Sequence, residues 1–217
     1  MNITRIRTMG SNYVGLFTVC NDKIAFVPAL IEKKAEEEIA KTLDVKTIHT
    51  TIYGSSLLAV FSKMNNKQIY LPNFISPKEL ETIEKEMKAR VINTENALGN
   101  LVELNDTGAI ISQLLPKNAV EEIKKSGLKV EQMNLGRVDV VGSALVATNR
   151  AFLVNPNISL EEAQKIEATL GVKGGSSTAN MGDSFVRNSV LANKKGIVLG
   201  EGTTPYEINK IEEALEQ

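Results

Sequence analysis

The chain has 217 residues, 42% of them hydrophobic, and carries 25 Lys and Arg against 26 Asp and Glu. The balance holds in each half, with 13 basic and 13 acidic side chains in residues 1–108 and 12 and 13 in residues 109–217, which excludes a protein whose sole partner is gripped through nucleic-acid phosphates. No apolar run approaches the roughly 18 residues of a membrane helix, no basic-then-apolar leader opens the chain, and the single Cys20 cannot form an internal disulfide, so a reducing cytoplasm is the expected setting.

Taken in chain order, Ile3–Thr8 alternates and reads as a strand lying before Gly10. A strand closing at Cys20, a polar turn at Asn21 and a proline at Pro28 follow, then a helix carrying Ile39 and Leu43. Thr47–Ile52 reads as a strand with His49, the only histidine, on its polar face. After Gly54 the pattern returns. Ser56–Phe61 is apolar and strand-like, Asn65–Asn66 suits a turn, and Ile69–Leu71 is a return strand. Ser76 before Pro77 is an N-cap with a first-turn proline. Leu80, Ile83 and Met87 form one helix stripe, and Arg90–Asn93 is a third strand. Beyond Gly99 come the turn at Asn105, a helix start at Pro116, and Ile123 and Leu128 ahead of and behind the helix-ending Gly127. Beyond Gly142 come Asn149, a capping box at Ser159 and Glu162, and the pair Ile166 and Leu170. Arg187–Asn188, Asn193, Thr204–Pro205 and the pair Ile211 and Leu215 repeat the series a fifth time.

Two rulers therefore run through the chain. The turn asparagines Asn21, Asn65, Asn105, Asn149 and Asn193 lie 44, 40, 44 and 44 residues apart, and the first members of the apolar helix pairs lie 44, 40, 43 and 45 apart. A fixed period of this size marks an internal repeat. The expected units are 10–53, 54–98, 99–141, 142–186, and 187–217 together with 1–9, each in the order strand, strand, helix, strand. The fifth unit stops inside its helix, so Ile3–Thr8 is expected to supply its third strand and to close the α/β repeats into a single ring-shaped domain without an exposed sheet edge.

Catalytic signatures are sparse. His49 has no His or Cys beside it, and a nucleophilic Cys20 would need a base such as His49 within reach. Gly171–Ser177 is glycine-rich but lacks the Gly-Lys-Ser/Thr ending of a phosphate loop; Gly171 reads as a helix C-cap. No metal or cofactor is expected. The paired lysines Lys33/Lys34, Lys124/Lys125 and Lys194/Lys195 read as solvated faces and turns.

Ala97–Leu98–Gly99–Asn100 followed by Asn105–Asp106, with Gly15, Phe17, Leu71–Pro72–Asn73 and Val141–Gly142–Ser143, resembles the translation initiation factor 6 family in its archaeal form. The resemblance extends over the whole chain. It implies a pentein fold, five α/β units around a pseudo-fivefold axis with strands inside and helices outside. It also implies a non-enzymatic, monomeric cytoplasmic factor that binds the large ribosomal subunit, through ribosomal proteins and rRNA near the sarcin–ricin loop, and blocks joining of the small subunit. Neither DNA nor a membrane is an expected partner. Asn100 matches a position on the family's ribosome-binding surface, and the internal repeat adds Asn12, Ser55, Ser56, Ser143 and Asn188 as candidate contacts. The alternative on the same fold is a guanidino-modifying enzyme that uses Cys20 and His49.

Overall fold

The computed structural model describes residues 1–217. It opens with strand β1 (Asn2–Ile6), helix α1 (Val14–Phe17), strands β2 (Val19–Cys20) and β3 (Ile24–Pro28), helix α2 (Lys33–Leu43) and strand β4 (Lys46–Thr50). The second unit contains α3 (Leu58–Phe61), β5 (Lys63–Met64), β6 (Ile69–Pro72), α4 (Pro77–Glu84) and β7 (Ala89–Ile92). The third has α5 (Leu98–Leu101), β8 (Val102–Leu104), β9 (Gly108–Ile111), α6 (Lys117–Lys124) and β10 (Lys129–Gln132). The fourth has α7 (Val141–Ala144), β11 (Leu145–Ala147), β12 (Phe152–Val154), α8 (Leu160–Leu170) and β13 (Gly174–Ser176). The last has α9 (Val186–Ser189), β14 (Val190–Ala192), β15 (Gly196–Gly200) and α10 (Pro205–Leu215).

These strands form five separate three-stranded sheets. In the first four, a hairpin gives an antiparallel pair, and a long helix then carries the chain back to add a parallel third strand. The middle strands read as continuous apolar runs because both faces are covered: all of β6, β9 and β15 is buried. In the fifth sheet the parallel partner of β15 is β1, paired from Asn2 with Gly196 to Ile6 with Gly200. The N-terminal strand thus completes the fifth unit, as the repeat predicts.

Each long helix lies over the sheet of the unit before it: α4 over β4, α6 over β7, α8 over β9 and β10, and α10 over β12 and β13. Helix α2 obeys the same rule by lying over β15 and β1 of the last unit. The apolar cores follow suit. One joins Val14, Ala25, Ile39 and Leu43 of the first unit to Leu191 and Val198 of the fifth, and another joins Tyr70 and Ile92 of the second unit to Val102, Val120 and Ile123 of the third. A unit alone would leave one face of its sheet bare, so burial couples every unit to its neighbours.

The helix starts match their sequence signals. Ser76, Ser159 and Thr204 each make a reciprocal capping box with Glu79, Glu162 and Glu207, Pro116 stands at the N-cap of α6, and α8 ends at Gly171 in the left-handed region.

Three expectations are corrected. Ser56–Phe61 is not a strand: its last four residues form the single helical turn α3, and the strand that follows is only Lys63–Met64. The same holds in every unit, so the order is short helix, strand, strand, long helix, strand. Four apolar residues satisfy either period, and tertiary packing decided between them. Second, Gly10 and Gly54 are not equivalent to Gly99 and Gly142. The first pair sits at positive φ in turns; the second pair lies within the short helices, where Gly15 is their counterpart. Third, Asn149 is not the structural equivalent of the other four turn asparagines. Asn21, Asn65, Asn105 and Asn193 each accept the N–H groups two and three residues ahead on Oδ1, and in the fourth unit Thr148 does so with Oγ1. With Thr148 the turn intervals become 44, 40, 43 and 45, the same beat as the helix pairs.

Candidate functional site

The short helices α1, α3, α5, α7 and α9 gather at one end of the molecule, each touching the next and α9 touching α1. Their second residues are Gly15, Ala59, Gly99, Gly142 and Arg187. At three of the five, contact demands glycine: a Cβ on Gly15 would lie 1.8 Å from the Arg187 carbonyl oxygen, on Gly99 1.9 Å from that of Ala59, and on Gly142 2.1 Å from that of Gly99.

The third residues are Leu16, Val60, Asn100, Ser143 and Asn188. The structure therefore brings three of the predicted site residues, Asn100, Ser143 and Asn188, to the same place in successive units. Ser143 Oγ donates to Asn100 Oδ1 at 3.2 Å. The other three lie in the loops leading into the first two short helices. Ser55 Oγ accepts from the Leu57 N–H at 3.1 Å, a turn-stabilising bond. The Asn12 carbonyl accepts from Asn180 Nδ2 at 3.0 Å, and Ser56 is half-buried beside Ser55.

Sequence reasoning missed the apolar part of this face. Tyr13 is exposed, and Leu16, Phe17, Leu57, Val60, Phe61, Val140 and Phe185 are half-buried around the polar residues. The mixture of half-exposed apolar groups and short polar ones suits a protein-rich interface.

The loops at this end are clamped to the long helices. Besides its capping bond, Glu79 accepts from Thr51 Oγ1 at 2.6 Å and from the N–H groups of Tyr53 and Gly54 at 3.0 and 2.9 Å. Glu207 does the same for Thr178, Met181 and Gly182. Burial alone would raise the Glu79 carboxyl, but donation from Gly54, Thr51 and Ser76 outweighs it and holds the group at about 2.

Behind the face, on the axis, lies a buried charge cluster that draws on three units. Lys63 Nζ donates to Glu103 Oε2 at 2.5 Å and to the Gly142 carbonyl at 3.1 Å. Arg187 Nη1 donates to the Gly15 carbonyl at 2.6 Å, Nη2 to that of Thr18 at 3.3 Å, and Nε lies 3.9 Å from Glu103. Burial lowers Lys63 to about 8 against the opposing pull of Glu103. The one signal in sequence was register: Lys63 and Glu103 occupy strand positions held elsewhere by Val19, Val146 and Leu191.

Cys20 and His49 are not brought together. Cys20 lies beside the axis, its thiol 3.6 Å from the Ala192 carbonyl, and burial pushes it up to about 12 despite Arg187 nearby. His49 is half-exposed on β4, with Nε2 2.9 Å from Glu36 Oε1. A nucleophilic thiol needs a shift in the opposite direction. No group of three or more His, Cys, Asp or Glu side chains converges as a metal site would require, and no helix is long and apolar enough to cross a membrane.

Residues 3–214 match the eIF-6 family. Among similar proteins are the translation initiation factor 6 of Pyrococcus abyssi, 35% identical over 224 residues and 99% of each chain, that of Sulfolobus acidocaldarius, 31% identical over 221 residues and 99% of each chain, and that of Methanosarcina mazei, 31% identical over 207 residues and 94% of each chain.

Proposed function

The chain belongs to the eIF-6 family, and from that premise we propose that it acts in translation initiation by binding the large ribosomal subunit on the face that meets the small subunit, so that joining is blocked by bulk alone. The full-length match to proteins named as translation initiation factor 6 carries this reading. The mechanism needs a rigid body with a docking face and no reacting group. The clamped loops and interlocked cores supply rigidity, and we read the five units as one closed pentein ring on the grounds that β1 pairs with β15 and α9 meets α1.

The docking face in this reading is the short-helix end. Asn100, bonded to the buried Ser143, is its polar centre, Asn12, Ser55, Ser56 and Asn188 flank it, and the half-buried aromatic and aliphatic residues give the apolar contact. Ribosomal proteins and rRNA near the sarcin–ricin loop are the partners, the protein acts as a cytoplasmic monomer, and no enzymatic step is assigned to Cys20 or His49.

Sedimentation with separated ribosomal subunits from a related archaeon tests the reading. The expected result is co-migration with the large subunit alone and fewer joined ribosomes. Asn100→Arg places a bulky charge at the centre of the face and weakens binding by roughly tenfold or more, with the thermal transition unchanged. Absence of binding to the large subunit under conditions that permit joining overturns the proposal.

A further inference from the structure

The opposite end of the molecule, where the hairpins turn and the long helices finish, carries a different surface. Asn21 Nδ2 donates to the Asn65 carbonyl, Asn65 to that of Asn105, Asn105 to that of Thr148, and Asn193 to that of Asn21. This ladder holds all five turns side by side. Asn105 and Asn193 also cap the C-terminal carbonyls of α8 and α2 at Leu170 and Leu43.

Each turn tip is a near neighbour of the start of its third strand: the Lys46 N–H bonds the Lys23 carbonyl, the Lys129 N–H that of Thr107, and the Asn2 N–H that of Lys195. In the second and fourth units Lys67 and Arg150 stand at the tips, with Lys88 and Lys173 at the strand starts. The outcome is a rim of eight basic side chains, Lys23, Lys46, Lys67, Lys88, Lys129, Arg150, Lys173 and Lys195, with no carboxylate at any of these positions. These eight are about a third of the 25 basic side chains of the chain.

Only part of this charge is neutralised. Lys46 pairs with Glu86 and Lys195 with Asp44. Lys67 and Lys129 donate to the backbone carbonyls of Asp106 and Ala168, and Arg150, bonded to the Glu216 carbonyl, also lies close enough to the Glu216 carboxylate to help the Met1 amino group hold it ionised. Lys23, Lys88 and Lys173 are exposed and make no side-chain hydrogen bond or ion pair. Nearer the axis, the carboxylates of Asp22 and Asp106 accept from Asn66, Asn149 and the Lys194 N–H and stay charged, with Lys194 Nζ 3.9 Å from Asp22.

We infer that this basic rim is an RNA-binding surface that holds backbone phosphates, at the far end of the strands from the short-helix face. RNA fits better than a membrane or an apolar peptide because no large exposed hydrophobic side chain lies among the rim residues. Without aromatic groups to stack on bases, recognition is electrostatic, insensitive to sequence and dependent on salt. The inference does not rest on large-subunit docking, since it concerns the other end of the molecule and is tested with RNA alone.

The test is fluorescence anisotropy of a labelled single-stranded RNA of roughly 20 nucleotides with the full chain. If three phosphates are contacted at once, affinity falls about 20-fold between 50 and 200 mM salt. The triple variant Lys23→Glu, Lys88→Glu, Lys173→Glu changes only exposed side chains without partners. It binds at least about tenfold more weakly with an unaltered thermal transition, while Asn100→Arg binds RNA as the parent chain does. No binding at 50 mM salt, or equal binding by the triple variant, overturns the inference. So does equal competition by polyglutamate of matching charge, which would make the rim a general polyanion or acidic-protein surface. Sedimentation with the large subunit is read separately, so either proposal can fail without the other.

Discussion

The turn end and the short-helix end are built on opposite plans. At the turn end one device, a side-chain oxygen that gathers two N–H groups, recurs in all five units, and four of them add an amide that reaches a neighbouring turn. At the short-helix end the backbone recurs but the side chains diverge: the third helical residue is Leu, Val, Asn, Ser and Asn in turn. Repetition marks what every unit needs in order to fold, and divergence marks where the assembled face departs from fivefold symmetry.

The sharpest break of this contrast is at the short-helix end. Gly99→Ala drives a methyl group into the Ala59 carbonyl oxygen, 1.9 Å away, and neither backbone can yield without moving its unit. The expected cost is about 3 kcal/mol in urea unfolding; a loss below about 0.5 kcal/mol would show that the helices do not need to pack so closely.

The next effect concerns the glutamate clamp. Glu79 is held at about 2, below its ordinary 4.5, so its stabilising share is complete above pH 4.5 and is lost as pH falls toward 2. Glu79→Gln is expected to cost about 2 kcal/mol at pH 6, and the gap from the parent chain should narrow steadily between those limits. A gap that stays constant with pH would mean that the charge on Glu79 contributes nothing.

The smallest effect sharpens the turn end. Thr148 gathers its N–H groups like the asparagines but has no amide to send toward the turn at Asn193. Thr148→Asn supplies that rung, and a gain of about 1 kcal/mol is expected. A neutral or destabilising result would locate ladder stability in the local turn bonds alone.

The repeat was readable because turn asparagines and helix capping boxes act over three or four residues and leave fixed signatures. The fourth turn was read one residue late because Thr148 does the same work with a hydroxyl while Asn149 stands next to it. The candidate site was readable only in part. Asn100, Ser143 and Asn188 do share a structural position, but the apolar residues around them carry no local signal of their partial exposure. Of the rim residues only Lys195 stands out in sequence, where it reads with Lys194 as solvated surface; the common placement of all eight depends on the ladder that aligns the turns.

Local chemistry in the sequence thus determined the number of units, their period, the helix starts and the return of the first strand to the last sheet. The tertiary structure decided the short helices, the Lys63–Glu103–Arg187 cluster and the opposition of an apolar–polar face to a basic rim. Each of these joins residues about forty or more positions apart, and only the packing of one unit against the next fixes which of them meet.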